Sequence, residues 1–359
     1  MSRIDIQLKK AAKGVSVMGS GFIALDLVHG RDGLFASAGG SCGNVLIGLS
    51  WLGWASMPVT RLGSDKAGDF VVDEMEVEGL DLRFVQRSDA VPTPVVIQQF
   101  TQDARGGRKH RFSLVCPDCG AWLPRYRSIV LTQANEVATE KAPKAFYFDR
   151  VAPGTVALAE WAKENGALVL FEPSSIGEDV LFERAVDSCH ILKFSDERFG
   201  RDSELCKARG PNLIVRTMGA DGLQARWKGR WSSLQSFAAP RLVDAAGAGD
   251  WCSIGLLHVL GQKGADSFTG AVKGDVERAL RLGQGLAALN CGYEGARGLM
   301  TAARTLDVVN RMLRDAAGGA GSLNDTEAPH RSSTVDICRL CSDNGKAVAP
   351  MKKSKKKRA

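Results

Sequence analysis

Short apolar runs alternate with stretches of helical spacing along most of the chain. Residues 145–149, 167–171, 190–194 and 213–217 are nearly continuous apolar segments, as expected of strands buried on both faces. Between them, 156–165 and 180–187 place apolar residues at helical intervals. Val15 to Met18 predicts another buried strand, 45–52 a helix, and 59–63 a strand and turn leading into a helix that ends at Gly79. Val91 to Phe100 alternates weakly and carries Pro92 and Pro94, which suits an exposed or edge strand. Leu223 to Trp227 and Arg230 to Leu234, joined through Lys228-Gly229, predict a hairpin. Val276, Leu280, Gly283, Ala287 and Asn290 recur on one helical face, and 300–313 predicts a last amphipathic helix. This alternation specifies an α/β fold with a central, mostly parallel sheet covered on both faces. Ligands in such sheets gather at the carboxyl ends of the strands.

Composition narrows the picture. At 359 residues and 44% apolar content, the chain is large enough for a sizeable core. No run of about 18 apolar residues predicts a membrane span. Met1 to Lys13 is polar and has no apolar signal core, so a cytoplasmic protein is expected. The net charge is +7, but Lys352, Lys353, Lys355, Lys356, Lys357 and Arg358 carry six of it, leaving the remainder at +1. The basic character is therefore that of a tail with affinity for acidic partners, or simply a solvated one.

The densest chemical signal is Asp244-Ala245-Ala246-Gly247-Ala248-Gly249-Asp250, which opens into the apolar run 251–260. The first amides of a helix have no intrahelical partner and sit at the positive end of its dipole. Glycines at 247 and 249 let an anion approach that end closely. A carboxylate at 250, inside this turn, is placed to take a proton from a hydroxyl that attacks phosphorus. A helix cap with convenient glycines has the same composition.

Other candidates sit at predicted strand ends and turns. Asp26 follows the first strand, and Gly39, Gly40 and Asn44 precede a helix. Glu172 falls at the end of 167–171, Lys193 and Ser195 at the end of 190–194, and Thr217, Gly219 and Gly222 after 213–217. Each also has a plain structural reading as a turn, cap or solvated loop residue.

Taken in order, these segments resemble the PfkB (ribokinase-like) carbohydrate kinases over roughly residues 14–315. Gly247, Ala248, Gly249 and Asp250 stand in the family's second signature, with Ala245 where Thr is usual. Gly39, Gly40 and Asn44 keep the spacing of the first, and Gly63, Asp65 and Gly68 match a turn between them. The resemblance implies a ribokinase-like three-layer fold with a small β lid and ATP-dependent transfer to a hydroxyl of a sugar or sugar derivative. Asp250 would be the base, with 247–249 as anion hole. Asp26, Gly39, Gly40, Asn44 and Glu172 would hold the acceptor. Lys193, Ser195, Thr217, Gly219, Gly222 and Asn290 would face ATP, and Mg²⁺ would bridge its phosphates. In the metal-associated segment Ser195 replaces Asn and Arg198 replaces Glu, so either Asp196 or Glu197 acts on Mg²⁺ through water or metal handling is altered. A nucleoside kinase of the same fold, or a regulatory protein retaining it, are the alternatives.

The expected kinase domain is 1–318, with lid segments at about 27–40 and 91–130, and lids of this type often pair into homodimers. A linker and basic tail, 319–359, would follow. Cys116 and Cys119 form an insertion at 116–119, and Cys338 and Cys341 lie in the tail. Four thiolates would make a closed structural zinc site if the tail folded back; free or redox-active thiols are the other reading. The cations Arg105, Arg108, Lys109 and Arg111, with Arg125 and Arg127, read as a solvated hairpin tip or as contacts for an anionic substrate.

Overall fold

In chain order the strands are β1 (Ser16–Ser20), β2 (Ala24–Gly30), β3 (Gly33–Gly39), β4 (Ala55–Pro58), β5 (Thr60–Gly63), β6 (Val85–Ser88), β7 (Val95–Gln102), β8 (Arg108–Ser113), β9 (Ala145–Phe148), β10 (Leu168–Phe171), β11 (Ile191–Ser195), β12 (Leu213–Thr217), β13 (Leu223–Trp227) and β14 (Arg230–Leu234). They come from a computed structural model that describes residues 7–317, apart from 31–32, 103–107, 118, 201 and 304. The main sheet runs β14-β13-β12-β11-β10-β9-β1-β4. Its pairings are parallel from β4 to β12, and β13 and β14 add an antiparallel hairpin at one edge.

Alternate residues of the central strands fall in two separate cores, as the two-residue period of a strand requires. Tyr147, Leu168, Leu170, Ile191, Leu213 and Val215 pack on one face, with the helices Ser41–Trp51, Ala248–Leu260 and Lys273–Asn290. Phe146, Phe148, Val169, Phe171, Leu192 and Ile214 pack on the other, with Leu131–Val137, Pro153–Glu164 and Asp179–Asp187. Three layers result. No helix among the described residues is long and apolar enough to cross a membrane.

The helices Ala248–Leu260 and Lys273–Asn290 approach so closely that a Cβ at Gly283 would lie 2.7 Å from the Cys252 carbonyl oxygen. The helix that opens at the glycine-rich turn is thereby clamped along its length.

A second sheet, β3-β2-β7-β8, forms the lid. In its strand β2, Leu25 and Leu27 point into the core while Asp26 takes the opposite face. Elsewhere the structure differs from the sequence expectation. The final helix is two, Gly298–Ala303 and Leu306–Ala317, with the Thr305 hydroxyl accepting the Val308 amide at 3.4 Å where the second begins. The helix Leu131–Val137 and strand β4 were not predicted. The tail, with Cys338, Cys341 and the lysine cluster, lies outside the described residues.

Candidate active site

The helix Ala248–Leu260 begins at Gly247, whose backbone is left-handed (φ 73°). Any Cβ there would lie 2.3 Å from the Ala296 carbonyl oxygen, so both conformation and space demand glycine. The Trp251 amide closes the first turn onto the Gly247 carbonyl at 2.9 Å. Among the described residues no protein acceptor is bonded to the amides of Gly247, Gly249 or Asp250. The Ala248 amide is partly committed, in a 3.3 Å bond to Ala245 O, so fewer amides are open at this helix end than the sequence suggested.

Asp250 is buried in this first turn, and Asn44 Nδ2 donates to its Oδ2 at 2.8 Å. Burial pushes the Asp250 carboxyl up to about 7, the nearby Glu172 charge adds to the rise, and the Asn44 bond opposes it. Asn44 thus does not cap its helix; one of the two N–H groups on its Nδ2 is given to the Asp250 carboxylate. Removing it by Asn44→Leu should move the acidic limb of the kcat/KM profile to higher pH, because the bond favours the ionised form. An unmoved limb would separate Asn44 from the titration.

Asn44 connects this carboxylate to Gly40 and Asp26. Its amide bonds the Gly40 carbonyl at 2.8 Å, and the Gly40 amide reaches Asp26 Oδ2 at 3.4 Å. Asp26 fits against Gly39 so tightly that a Cβ there would lie 1.9 Å from Oδ2. Burial raises the Asp26 carboxyl to about 7, against the Gly40 bond. Asp26, Gly39, Gly40, Asn44 and Asp250 are therefore one connected group.

Glu172 and Lys193 depart from expectation. The register that sets Phe171 beside Leu192 carries Glu172 next to Lys193. Lys193 is 1% exposed and forms an ion pair with Glu172 Oε1. Glu172 Oε2 accepts from Ser253 Oγ at 2.7 Å and Tyr147 Oη at 3.2 Å. Burial raises the Glu172 carboxyl, but the Lys193 ammonium and the hydrogen bonds outweigh it and hold it below the usual range. A Cβ at Gly249 would sit 3.4 Å from Glu172 Oε1 and 3.6 Å from Lys193 Nζ. The pair is thus a buried support beneath the glycine-rich turn. Glu172 is not a free acceptor contact, nor does Lys193 present its ammonium to a nucleotide.

Asn290 is corrected likewise. It is fully buried, donates to Ala246 O at 3.0 Å and accepts from the Leu299 amide at 3.1 Å. It fixes the turn and cannot touch a nucleotide. Thr217 and Ser195 are half-buried at the ends of β12 and β11, and Gly219 and Gly222 shape the next turn, closed by Met218 N to Gly222 O at 2.9 Å.

Two residues were missed. Asp244, at the start of the motif, accepts from Ala246 N, Gly295 N and the lid residue Gln98, each at 2.9 Å. Asp149, a buried carboxylate just past β9, accepts the Phe22 amide at 2.8 Å. Its position after an apolar strand was the available signal.

For Mg²⁺ the described carboxylates give no protein cage. Glu172 is engaged as above, and Asp196 is paired with Arg216 at 3.0 Å. Glu197 is exposed. Cys116 is buried and Cys119 exposed on a tight turn closed by Gly120 N to Cys116 O at 3.0 Å. No cluster of three or more metal-ligating side chains occurs among the described residues.

An anion-ready helix end carrying a carboxylate, at the carboxyl edge of a parallel sheet with a β lid, defines a phosphotransferase of the α/β class. The model of the pfkB family carbohydrate kinases matches residues 34–303, and the chain belongs to that family. It is an ATP-dependent carbohydrate kinase. It is 28% identical over 321 residues to a fructokinase of Klebsiella pneumoniae, covering 83% of this chain and 98% of that one. It is 26% identical over 284 residues to an ATP-dependent ribose-1-phosphate kinase of Halopiger xanaduensis, covering 74% and 84%. A nucleoside kinase of Burkholderia thailandensis in complex with inosine shares the fold, with a TM-score of 0.61 at 18% identity over 85% of this chain and 97% of that one.

Proposed function

We propose that the chain moves the γ-phosphoryl group of ATP to a hydroxyl of a sugar-type acceptor by in-line attack. The observation that carries this reading is the Asp250 carboxylate in the first helical turn, beside the open amides of Gly247 and Gly249. A carboxyl with a pKa near 7 is ionised often enough to accept the proton and basic enough to hold it. The two amides stabilise charge on the transferred group. Asp26 and Gly40 hold acceptor hydroxyls, Asn44 aligns the base, and Ser195, Thr217, Gly219 and Gly222 line the nucleotide side. Glu197 would reach Mg²⁺ only through water, and the ion would supply charge neutralisation at the nucleotide phosphates.

The nucleoside alternative needs a free aromatic face for the base. One face of the ring of Phe22, whose amide bonds Asp149, is covered by the Arg150 guanidinium. An ADP-release screen over sugars, sugar derivatives and nucleosides decides: turnover with sugars supports the reading, and turnover with nucleosides alone replaces it.

Five further readings belong to the same proposal. The kinase domain is 1–318. It acts in the cytoplasm, where ATP is available and free thiols persist. Two lids pair through the edge strand β8 and the segment after it, where Phe112 of the strand and Leu114 and Trp122 beyond it are exposed; a monomer in sedimentation at micromolar concentration would refute this. Cys116, Cys119, Cys338 and Cys341 share a structural zinc ion. Protein purified without chelator should then carry about one zinc per chain, and zinc-free, fully stable protein would refute it. The basic tail 352–358 contacts acidic partners by charge alone, which 0.5 M salt should abolish.

A further inference from the structure

Arg150 follows Asp149 at the carboxyl end of β9, and neither the motifs nor the mechanism above gives it a role. Its guanidinium lies over the Phe22 ring, 4.6 Å from the centroid, and 5.9 Å from the centroid of Tyr126. The two rings meet edge to face with centroids 5.9 Å apart. Nη1 donates to Asp149 Oδ2 at 3.1 Å and to Asp149 O at 3.0 Å. Asp149 in turn receives the Phe22 amide, and the Phe22 carbonyl receives the amides of Cys42 and Gly43 at 3.1 and 3.4 Å. Those amides open the helix that carries Asn44, the partner of Asp250. The cluster is therefore bonded directly into the acceptor side of the site.

The guanidinium is held at one corner and on one face, yet its side chain keeps 25% exposure while that of Asp149 keeps 2%. Among the described residues no acceptor is bonded to Nε or Nη2. These two N–H groups form one edge of a planar fork, whose spacing matches two oxygens of a carboxylate or phosphate. A cation stacked on aromatic rings and tied at Nη1 has its orientation set before any ligand arrives, so little freedom is lost on binding. A neutral hydroxyl would use one of the two donors and leave the charge unmatched.

We infer that the Nε–Nη2 edge of Arg150, framed by Phe22 and Tyr126, reads an oxyanion on the acceptor, so that the preferred substrate is a sugar bearing a carboxylate or phosphate group. This rests on the kinase reading above. The hydroxyl to be phosphorylated goes to Asp250 and the oxyanion to Arg150. Repulsion from the acidic side of the pocket is limited. Asp149 is matched by Arg150 itself, and burial keeps Asp26 and Asp250 only partly ionised at neutral pH.

The test compares matched pairs with ATP: D-fructose against fructose 6-phosphate and fructose 1-phosphate, D-ribose against ribose 1-phosphate, and D-glucose against D-gluconate. In the wild-type enzyme at least one anionic member should exceed its neutral partner in kcat/KM by about 10- to 100-fold, the range of a charge-assisted bidentate contact. The phosphate and carboxylate arms tell which group is read. Arg150→Met should bring that ratio to about one, through KM more than kcat, and Arg150→Lys, which keeps charge without the fork, should restore only part. The wild-type ratios stand even if a variant folds poorly. Neutral sugars used as well as their anionic partners, or a ratio unchanged in Arg150→Met, would overturn the inference and leave the kinase reading intact. Transfer to none of the acceptors would count against both.

Discussion

Asp250→Asn is expected to lower kcat by about 10³-fold, within the range general-base removal produces, while ATP affinity changes little. The substitution keeps shape and leaves the Gly247 and Gly249 amides in place, so the nucleotide should still dock. What is lost is a group that can take the acceptor proton. Asparagine can still pair with the Asn44 side chain, which limits structural side effects. Steady-state kinetics with nucleotide binding measured separately check this. Full turnover in the variant would remove Asp250 from the chemistry.

The second large effect concerns the support beneath the turn. Lys193→Met leaves Glu172 buried without its cation, and losing one partner of a buried pair costs about 3–5 kcal/mol. Ser253 and Tyr147 still donate to the carboxylate, which places the expected loss toward the lower end. Because Gly249 packs against both charges, kcat should fall as well. The double variant Glu172→Met with Lys193→Met removes both charges and should recover much of the stability but not the activity. Denaturant unfolding of the wild type, the single and the double variant gives the comparison. A single variant as stable as wild type would mean that the pair carries no such role.

Much of this enzyme was legible in its sequence, for identifiable reasons. The limits of β12, β13 and β14 coincide with those read from the apolar runs, because both faces of β12 are buried and the hairpin turn is marked by Lys228-Gly229. The glycine-rich turn was legible because its chemistry is local: seven consecutive residues form it. Contacts that need register were not. Glu172 and Lys193 meet only because β10 and β11 pair as they do, and seen singly each resembled a ligand contact. Arg150, Phe22 and Tyr126 are brought together by the fold from three distant segments. Asn290 shared the periodicity of its helix, which cannot distinguish a side chain that faces a nucleotide from one that fastens a loop.

The central claim is most directly tested by a crystal structure with a non-hydrolysable ATP analogue and a phosphorylatable sugar. The account predicts γ-phosphate oxygens on the amides of Gly247 and Gly249, and an acceptor hydroxyl within about 2.6–3.2 Å of the Asp250 carboxylate. A γ-phosphate bound elsewhere, or an acceptor hydroxyl out of reach of Asp250, would contradict it.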